Sequence, residues 1–190
     1  MKEIKTSPLI LILIVLFIAF FIWNEREAAK TKEKLETETY QYNYNQLVSS
    51  MLSDASQAES MGNLIGKVWN YAILKKADSE TDKYTKVNGE FVSDFNDALG
   101  NLFNDEEFAK RASELSANQQ QIKAAMKNML TPPKDYENAF KALESMYNAY
   151  IAFTDHILNC SGSLKSFSDE FTSLDKKFVE AYKGAELYIK

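Results

Sequence analysis

The feature that most limits the architecture of this chain is an unbroken apolar run near the N-terminus, from Leu9 to Trp23. As a helix the run rises about 22 Å, and residues 6–8 extend it toward the roughly 30 Å thickness of a bilayer's hydrocarbon core. Lys2 and Lys5 are positioned to reach the headgroups at one end, and Trp23 suits the opposite interface. The run therefore predicts a transmembrane helix.

We expect this helix to be retained as a signal anchor over residues 8–23. A signal peptidase site needs small residues at its −3 and −1 positions, whereas the run ends in bulky Phe20, Phe21, Ile22 and Trp23. A lipoprotein signal needs a cysteine directly after the run, and the single cysteine is Cys160. Both alternatives to a retained anchor are therefore disfavoured.

The orientation of the anchor follows from its flanks. A count of Lys and Arg alone favours a cytoplasmic location for the C-terminal flank, but this rule weakens when a long domain follows the helix. The net charge of the two flanks, and the likeness of residues 1–23 to the first two regions of a signal peptide, favour the opposite orientation. We expect a cell-membrane protein that crosses the membrane once, with residues 1–7 in the cytoplasm and the domain outside.

The remaining residues show the periodicity of amphipathic helices. Residues 24–41 are polar on all sides and predict a solvated helical stalk. The alternation of Tyr with polar residues over 40–46 would also suit a short strand, but continuity with the following pattern favours a helix. Apolar or small residues then recur at alternating steps of four and three, the heptad spacing of a coiled coil, and predict one helix to about Ala77: Tyr44, Val48, Met51, Ala55, Ala58, Gly62, Ile65, Trp69 and Ala72.

Turn signals divide the rest of the chain. Asp78 to Gly89 predicts a loop, and a second helix is expected from Glu90 to Leu130 with a break near Asn104, where Asn104 to Glu107 resembles a capping box. Pro132 and Pro133, followed by Tyr136, predict the end of this helix and the start of a third. Ser161, Gly162 and Ser163 predict a tight turn, with Gly162 as helix stop and either serine as the cap of the last helix.

Short connections make consecutive helices antiparallel neighbours. The predicted fold is therefore all-α: an antiparallel up-down bundle of about four helices over residues 42–190, with a long first helix, preceded by one transmembrane helix. The Tyr and Phe stripes of the last two helices are expected to fill its core. A second interpretation makes Tyr147 and Tyr150 candidate interaction residues.

The sequence contains no constellation that indicates catalysis. The single histidine, His156, cannot supply the Glu-x-x-His pairs of di-iron bundles, and the single Cys160 cannot form an intrachain disulfide. No phosphate-binding glycine motif is present. We therefore predict no catalytic, cofactor-binding or metal-binding residues and no enzyme activity. The net charge of −5, without a basic cluster, also disfavours nucleic-acid binding.

The segment from Leu130 onward resembles uncharacterised extracytoplasmic helical proteins of Gram-positive bacteria, many of them lipoproteins. The shared features are the helix start at Pro132, Pro133 and Tyr136, the tyrosines of the third helix, and the turn at residues 161–164 followed by Phe167. The chain departs from the pattern because it has no cysteine that could carry a lipid. The resemblance implies a location outside the cytoplasm and implies no activity.

The leading functional hypothesis is a membrane-tethered interaction module that binds another protein, the cell envelope or a second copy of itself. One alternative is a ligand-sensing bundle. Another is a phage or prophage envelope protein that acts in superinfection exclusion or lysis. The pattern of residues is compatible with all three of these functions.

Overall fold

The computed structural model describes residues 8–189, and for residues 8–16, 18 and 19 it describes the backbone only. This part of the chain is mostly helical, as the sequence predicts. It divides into two compact units, Met1–Tyr42 and Asn43–Lys190. Helix α1, Pro8–Leu74, contributes to both.

The first unit contains the N-terminal portion of α1. Its side chains from residue 20 to residue 36 are exposed. Lys and Glu side chains one turn apart form ion pairs on its surface, as in the 2.9 Å contact between Lys30 Nζ and Glu27 Oε1. Such exposed pairs add only a few tenths of a kcal/mol each. The predicted stalk is therefore helical, with polar side chains that need no partner surface.

Among the residues whose side chains are described, no helix is long and apolar enough to cross a bilayer. The predicted transmembrane helix falls mostly on residues 8–16, 18 and 19, whose side chains lie outside the description, and these include Leu9. The predicted cytoplasmic segment, residues 1–7, lies outside it entirely. Trp23, at the other end of the run, is described and is 59% exposed.

The second unit, which we call the helical domain, begins with the remainder of α1. A short helix and a two-stranded hairpin follow, and then a broken helix and a helical hairpin. The elements are α2 (Asp82–Thr85), β1 (Lys86–Val87), β2 (Glu90–Phe91), α3 (Phe95–Phe103), α4 (Glu106–Lys127), a 3₁₀ turn (Lys134–Tyr136), α5 (Glu137–Leu158) and α6 (Leu164–Glu186).

Cross-helix contacts fix the directions of α4 and α6. Asp54 and Gln57 of α1 pair with Asn118 and Arg111 of α4 respectively, so α4 runs antiparallel to α1. At one end of α6 the Phe167 ring packs on Trp69, and at the other the Ala185 carbonyl accepts the hydroxyl of Tyr44. Helix α6 is therefore also antiparallel to α1.

Helix α5 completes the alternation of directions. It is joined to α6 by a short turn and packs mainly on α6. Its Tyr150 meets Asp54, and its Ile157 meets Gly62 farther along α1, so α5 runs parallel to α1. Four long helical segments thus alternate in direction, and the core lies between them.

The heptad residues of α1 are buried without exception from Tyr44 to Ala72. The opposing helices contribute large side chains to the same core, and those that are almost fully buried include Phe108, Leu115, Leu143, Tyr150, Phe153 and Phe167. Burial of apolar side chains at this spacing is the main term that stabilises such a helical domain.

The predicted start of the second helix at Glu90 is wrong. Lys86 pairs with Phe91 and Val87 with Glu90 in an antiparallel hairpin, and Asn88 and Gly89 form its turn with φ angles of 52° and 87°. Two consecutive residues with positive φ match the twist of a two-residue hairpin, and an Asn-Gly pair tolerates this conformation. Helix α3 begins later, where the Asp94 carboxylate caps it by accepting from the Asn96 amide at 2.8 Å.

The chain breaks near Asn104, as predicted, but the cap of α4 is a different residue. Asp105 supplies the side-chain oxygen, which accepts from the Phe108 amide at 3.2 Å. Asn104 instead closes α3 by donating its amide to the Gly100 carbonyl. The carboxylate of Asp105 also contacts Lys83, and these hydrogen bonds hold its pKa below the usual value of 3.8.

The two other predicted turns lie at the ends of α5. Pro133 precedes the 3₁₀ turn, and Tyr136, buried at its end, leads into α5. Gly162, with φ of 89°, turns the chain between α5 and α6, while Ser161 is exposed beside it. Ser163 is the N-cap of α6 and exchanges hydrogen bonds with Ser166 in a reciprocal capping box.

Candidate functional site

Of the two candidate interaction tyrosines, Tyr150 is fully buried and belongs to the core of the helical domain. Its hydroxyl donates to the Asp54 carboxylate at 2.9 Å. Burial, and then the charge of Asp54, raise the pKa of Tyr150 well above its usual value of 10.0. Tyr147, one turn earlier in α5, is half-buried, and burial and the charge of Asp155 raise its pKa as well.

Asp54 is the centre of a polar cluster that joins three helices. The side chain is only 6% exposed, yet it carries a carboxylate. One oxygen accepts from Asn118 Nδ2 of α4 at 2.8 Å, and the other accepts from the Tyr150 hydroxyl of α5. In the part of the chain that the structure describes, no Lys, Arg or His side chain forms an ion pair with it.

A second polar link lies beside this cluster, between α4 and α5. The buried Gln119 side chain donates to Thr154 Oγ1 at 2.6 Å and to Asp155 Oδ1 at 2.9 Å. Thr154 in turn donates to the Tyr150 carbonyl at 2.8 Å. Buried polar groups that are fully hydrogen-bonded fix the register of neighbouring helices, because any slip would leave a group unpaired.

The Asp54 cluster opens onto a cleft of about 300 Å³ between α1 and α4. Apart from Asp54 and Asn118, the lining side chains are small or uncharged and carry oxygen: Ser49, Ser50, Ser53 and Gln121. We call this space the Asp54 cleft. Among the described residues that line it, Asp54 is therefore the only one with a formally charged side chain.

Farther along the helix, α1 packs on α6 through a glycine and aromatic rings. A side chain at Gly62 would meet Ile157 Cδ1 at 2.7 Å and Phe171 Cδ2 at 2.8 Å, closer than real carbon contacts. Glycine therefore allows Phe171 to lie against the α1 backbone. The ring also packs on Phe153 and Phe167, with centroids 5.6 and 6.1 Å away.

One turn farther along α1, the space beside Gly66 is open. A methyl group added there would have no atom within 4 Å. Gly66 lies in a groove of about 560 Å³ between α1 and α6, which we call the α1–α6 groove. Its lining combines small residues, aromatic rings and uncharged polar side chains, and includes Asn63, Asn70, Tyr71, Leu164, Ser168 and Phe171.

Of the described residues that line the α1–α6 groove, only Lys67 has a charged side chain. Its ammonium group contacts Asp78 at 3.0 Å and Glu80 at 2.7 Å, and these contacts raise its pKa above the usual 10.5. The ammonium group is therefore already ion-paired within the domain. Such a groove suits an uncharged surface better than an ionic ligand.

The single histidine and the single cysteine of the chain are both half-buried. His156 Nε2 lies 3.0 Å from the Phe167 carbonyl, and its ring stacks on the Phe167 ring. Cys160 is half-buried, and burial raises the pKa of its thiol to about 11. A thiol with a raised pKa is a poor nucleophile at neutral pH.

Across the residues with described side chains, no three His, Cys, Asp or Glu groups converge to hold a metal ion. Comparison with protein-family models, with curated proteins and with solved structures finds no match. The resemblance to extracytoplasmic proteins of Gram-positive bacteria therefore stays a prediction.

Sequence reasoning missed Asp54 and Gln119 as buried polar partners. Gln119 lies four residues after the buried Leu115 and three before the buried Ile122, and this helical spacing is a signal for burial of a polar residue. Asp54 lies directly before the buried Ala55 and three residues after Met51, so its position on the helix was readable. Its partners on α4 and α5 could be known only after the helices were aligned.

Proposed function

We propose that this chain is a membrane-tethered, extracytoplasmic interaction module whose helical domain binds a helix of a partner protein in the α1–α6 groove. The observation that carries this proposal is the open space at Gly66 in a groove whose lining lysine is ion-paired within the domain. The apolar run at residues 9–23 is the proposed tether. No catalytic step is part of the proposal.

The shape of the groove supports a helical partner. Its α1 lining extends from Gly62 to Tyr71, which corresponds to about 14 Å along the helix axis. Two or more turns of a partner helix can place side chains at i, i+3 or i+4, and i+7 along such a length. The small residues Gly66 and Ser168 let the side chains of the partner helix approach the backbones of α1 and α6.

The chemistry of the lining supports a surface that is partly apolar and partly polar. Phe171 and Leu164 offer apolar area, while Asn63, Asn70 and Ser168 offer hydrogen-bonding groups around it. Apolar anchors inside a polar rim are the usual arrangement of a protein interface.

Photo-crosslinking in the native membrane tests the groove. A diazirine-bearing amino acid replaces Gly66 in the full chain, and in a control chain it replaces Gly184 of α6, where an added methyl group also meets no atom within 4 Å. We expect a discrete crosslinked partner from position 66 and none from position 184. Equal crosslinking at both positions, or none at position 66, would contradict the proposed binding face.

A blocking variant separates binding from mere proximity. Gly66→Trp fills the groove, and with the diazirine at Ser168 we expect at least a tenfold loss of the crosslinked partner. Gly184→Trp is the matched control and should leave the partner unchanged. If the captured partner is a second copy of this chain, the groove serves self-association and the proposed partner protein is wrong.

The location is tested separately by adding protease to intact protoplasts. Digestion of the helical domain, with the N-terminal fragment left in the membrane fraction, is the expected result for a retained anchor and an extracytoplasmic domain. Full protection of the domain until the membrane is lysed would reverse the proposed orientation. Release of the intact domain in a wash with salt would exclude the tether.

A further inference from the structure

The carboxylate of Asp54 lacks a counter-charge. Asp54 is only 6% exposed, and its two hydrogen-bond partners, Asn118 and Tyr150, are both neutral. Removal of a charged group from water costs several kcal/mol unless an opposite charge or a bound metal compensates it. Two neutral donors compensate this cost only in part.

The surroundings of Asp54 supply the other ligands that a cation needs. The Asp54 cleft brings the hydroxyl groups of Ser49, Ser50 and Ser53 and the side-chain amide of Gln121 to the same space as the carboxylate. Carboxylate, hydroxyl and amide oxygens are the ligands of hard cations and of ammonium groups. Its volume of about 300 Å³ is sufficient for a small organic cation as well as for a hydrated metal ion.

We propose that the Asp54 cleft binds a small monovalent cation, either an alkali metal ion or the ammonium group of a primary amine, with Asp54 as its counter-charge. The single carboxylate sets the charge preference, because divalent ions such as Ca²⁺ bind tightly where several carboxylates converge. This site lies on the α4 side of α1 and is independent of the partner helix proposed for the α1–α6 groove.

Thermal unfolding of the full chain in lipid nanodiscs tests the proposal at constant ionic strength. Sodium, potassium or methylammonium chloride replaces tetramethylammonium chloride, whose cation has no N–H group to donate and no open position for oxygen ligands. We expect at least one of the three to raise the Tm saturably, by about 5–10 °C at roughly 100 times its Kd. The metal and methylammonium arms distinguish the two sources of positive charge.

Variants connect that shift to the cleft. Asp54→Asn should abolish the cation-dependent rise in Tm, whereas Asp175→Asn, a half-buried carboxylate on α6, should keep it. Since Asp54→Asn changes a buried cluster and can impair folding, Ser50→Leu provides a second test: it fills the cleft from an exposed position of α1 without altering the carboxylate. We expect Ser50→Leu also to lose the shift.

Three results would overturn the proposal. One is the absence of a saturable shift with any of the three small cations. Another is an equal shift in wild type and Ser50→Leu. The last is a larger and saturable response to calcium chloride than to the monovalent salts. None of these outcomes affects the crosslinking test of the α1–α6 groove, so the two proposals fail separately.

Discussion

The two sides of α1 pack on their neighbours by different physical means. On the side toward α6, the absence of a side chain at Gly62 lets Phe171 lie against the helix backbone, and the contact is apolar. On the side toward α4 and α5, the buried carboxylate of Asp54 accepts hydrogen bonds from Asn118 and Tyr150. The first side gains stability from burial of area, and the second gains a defined register at the cost of desolvating a carboxylate.

The contrast implies that substitutions on the two sides of α1 destabilise the domain for different reasons. The apolar side responds to volume, because a packed interior has little free space for an extra carbon atom or for its loss. The polar side responds to the loss of a partner, because the remaining group is left buried and unsatisfied. Substitutions of similar size on the two sides should therefore differ in their pH dependence.

The largest effect is expected on the apolar side. Phe171→Ala removes a ring that packs on Phe153, Phe167 and Gly62, and should lower the free energy of unfolding by about 3 kcal/mol, because the ring is half-buried. Chemical denaturation of the full chain measures the change, which should be the same at pH 7 and pH 9. A change below about 1 kcal/mol would place the ring outside the packed core.

On the polar side, Tyr150→Phe should lower the free energy of unfolding by about 1.5–3 kcal/mol at pH 7, because a buried carboxylate loses a donor. The raised pKa of Tyr150 means that folding favours the neutral phenol. Its contribution is complete below pH 10 and is lost as the pH rises above it. The difference in free energy of unfolding between wild type and Tyr150→Phe, measured by urea titration, should therefore narrow above pH 10, and a constant difference would contradict burial of the neutral phenol beside Asp54.

Gly62→Ala should lower the free energy of unfolding by about 1–3 kcal/mol, because the new methyl group overlaps Phe171 and Ile157. The same substitution in a Phe171→Ala background should cost less, since one of the overlapping groups is gone. A double-mutant cycle from chemical denaturation gives this coupling. Additive effects of the two substitutions would show that Gly62 does not serve the Phe171 contact.

Gly66→Ala should give the smallest effect, and in the opposite direction. The new methyl group meets no atom within 4 Å, so the variant should gain about 0.5–1 kcal/mol from the higher helix propensity of alanine. The same substitution to alanine at two glycines one turn apart would then change the free energy of unfolding in opposite directions. A loss of stability at Gly66 would mean that the groove is closed.

The sequence was informative where the local spacing of residue types determines which side chains are buried and where a helix ends. The buried row from Tyr44 to Ala72 and the break near Asn104 were both predicted, because heptad spacing and helix-breaking polar residues act locally. The hairpin at Lys86–Phe91 was not, although its Asn-Gly turn was visible, because Phe91 also fitted the helical spacing of Phe95 and Leu99.

The candidate sites were less predictable than the fold. Asp54 and Asn118 are 64 residues apart in sequence, and neither residue type is normally buried, so no local pattern announces their contact. The groove at Gly66 depends on the absence of neighbouring atoms, which follows only from how α1 and α6 are aligned. Tyr150 illustrates the difficulty: its spacing suited both the core and a surface role.

The hairpin between α2 and α3 offers a site at which the protein can be labelled in cells. Its tip, Asn88 and Gly89, is exposed, and a side chain at Gly89 would touch nothing within 4 Å. Solvated loop tips of this kind accept inserted sequence well. A short epitope or a fluorogen-binding peptide spliced between these two residues would label the protein in cells while leaving both faces of α1 undisturbed.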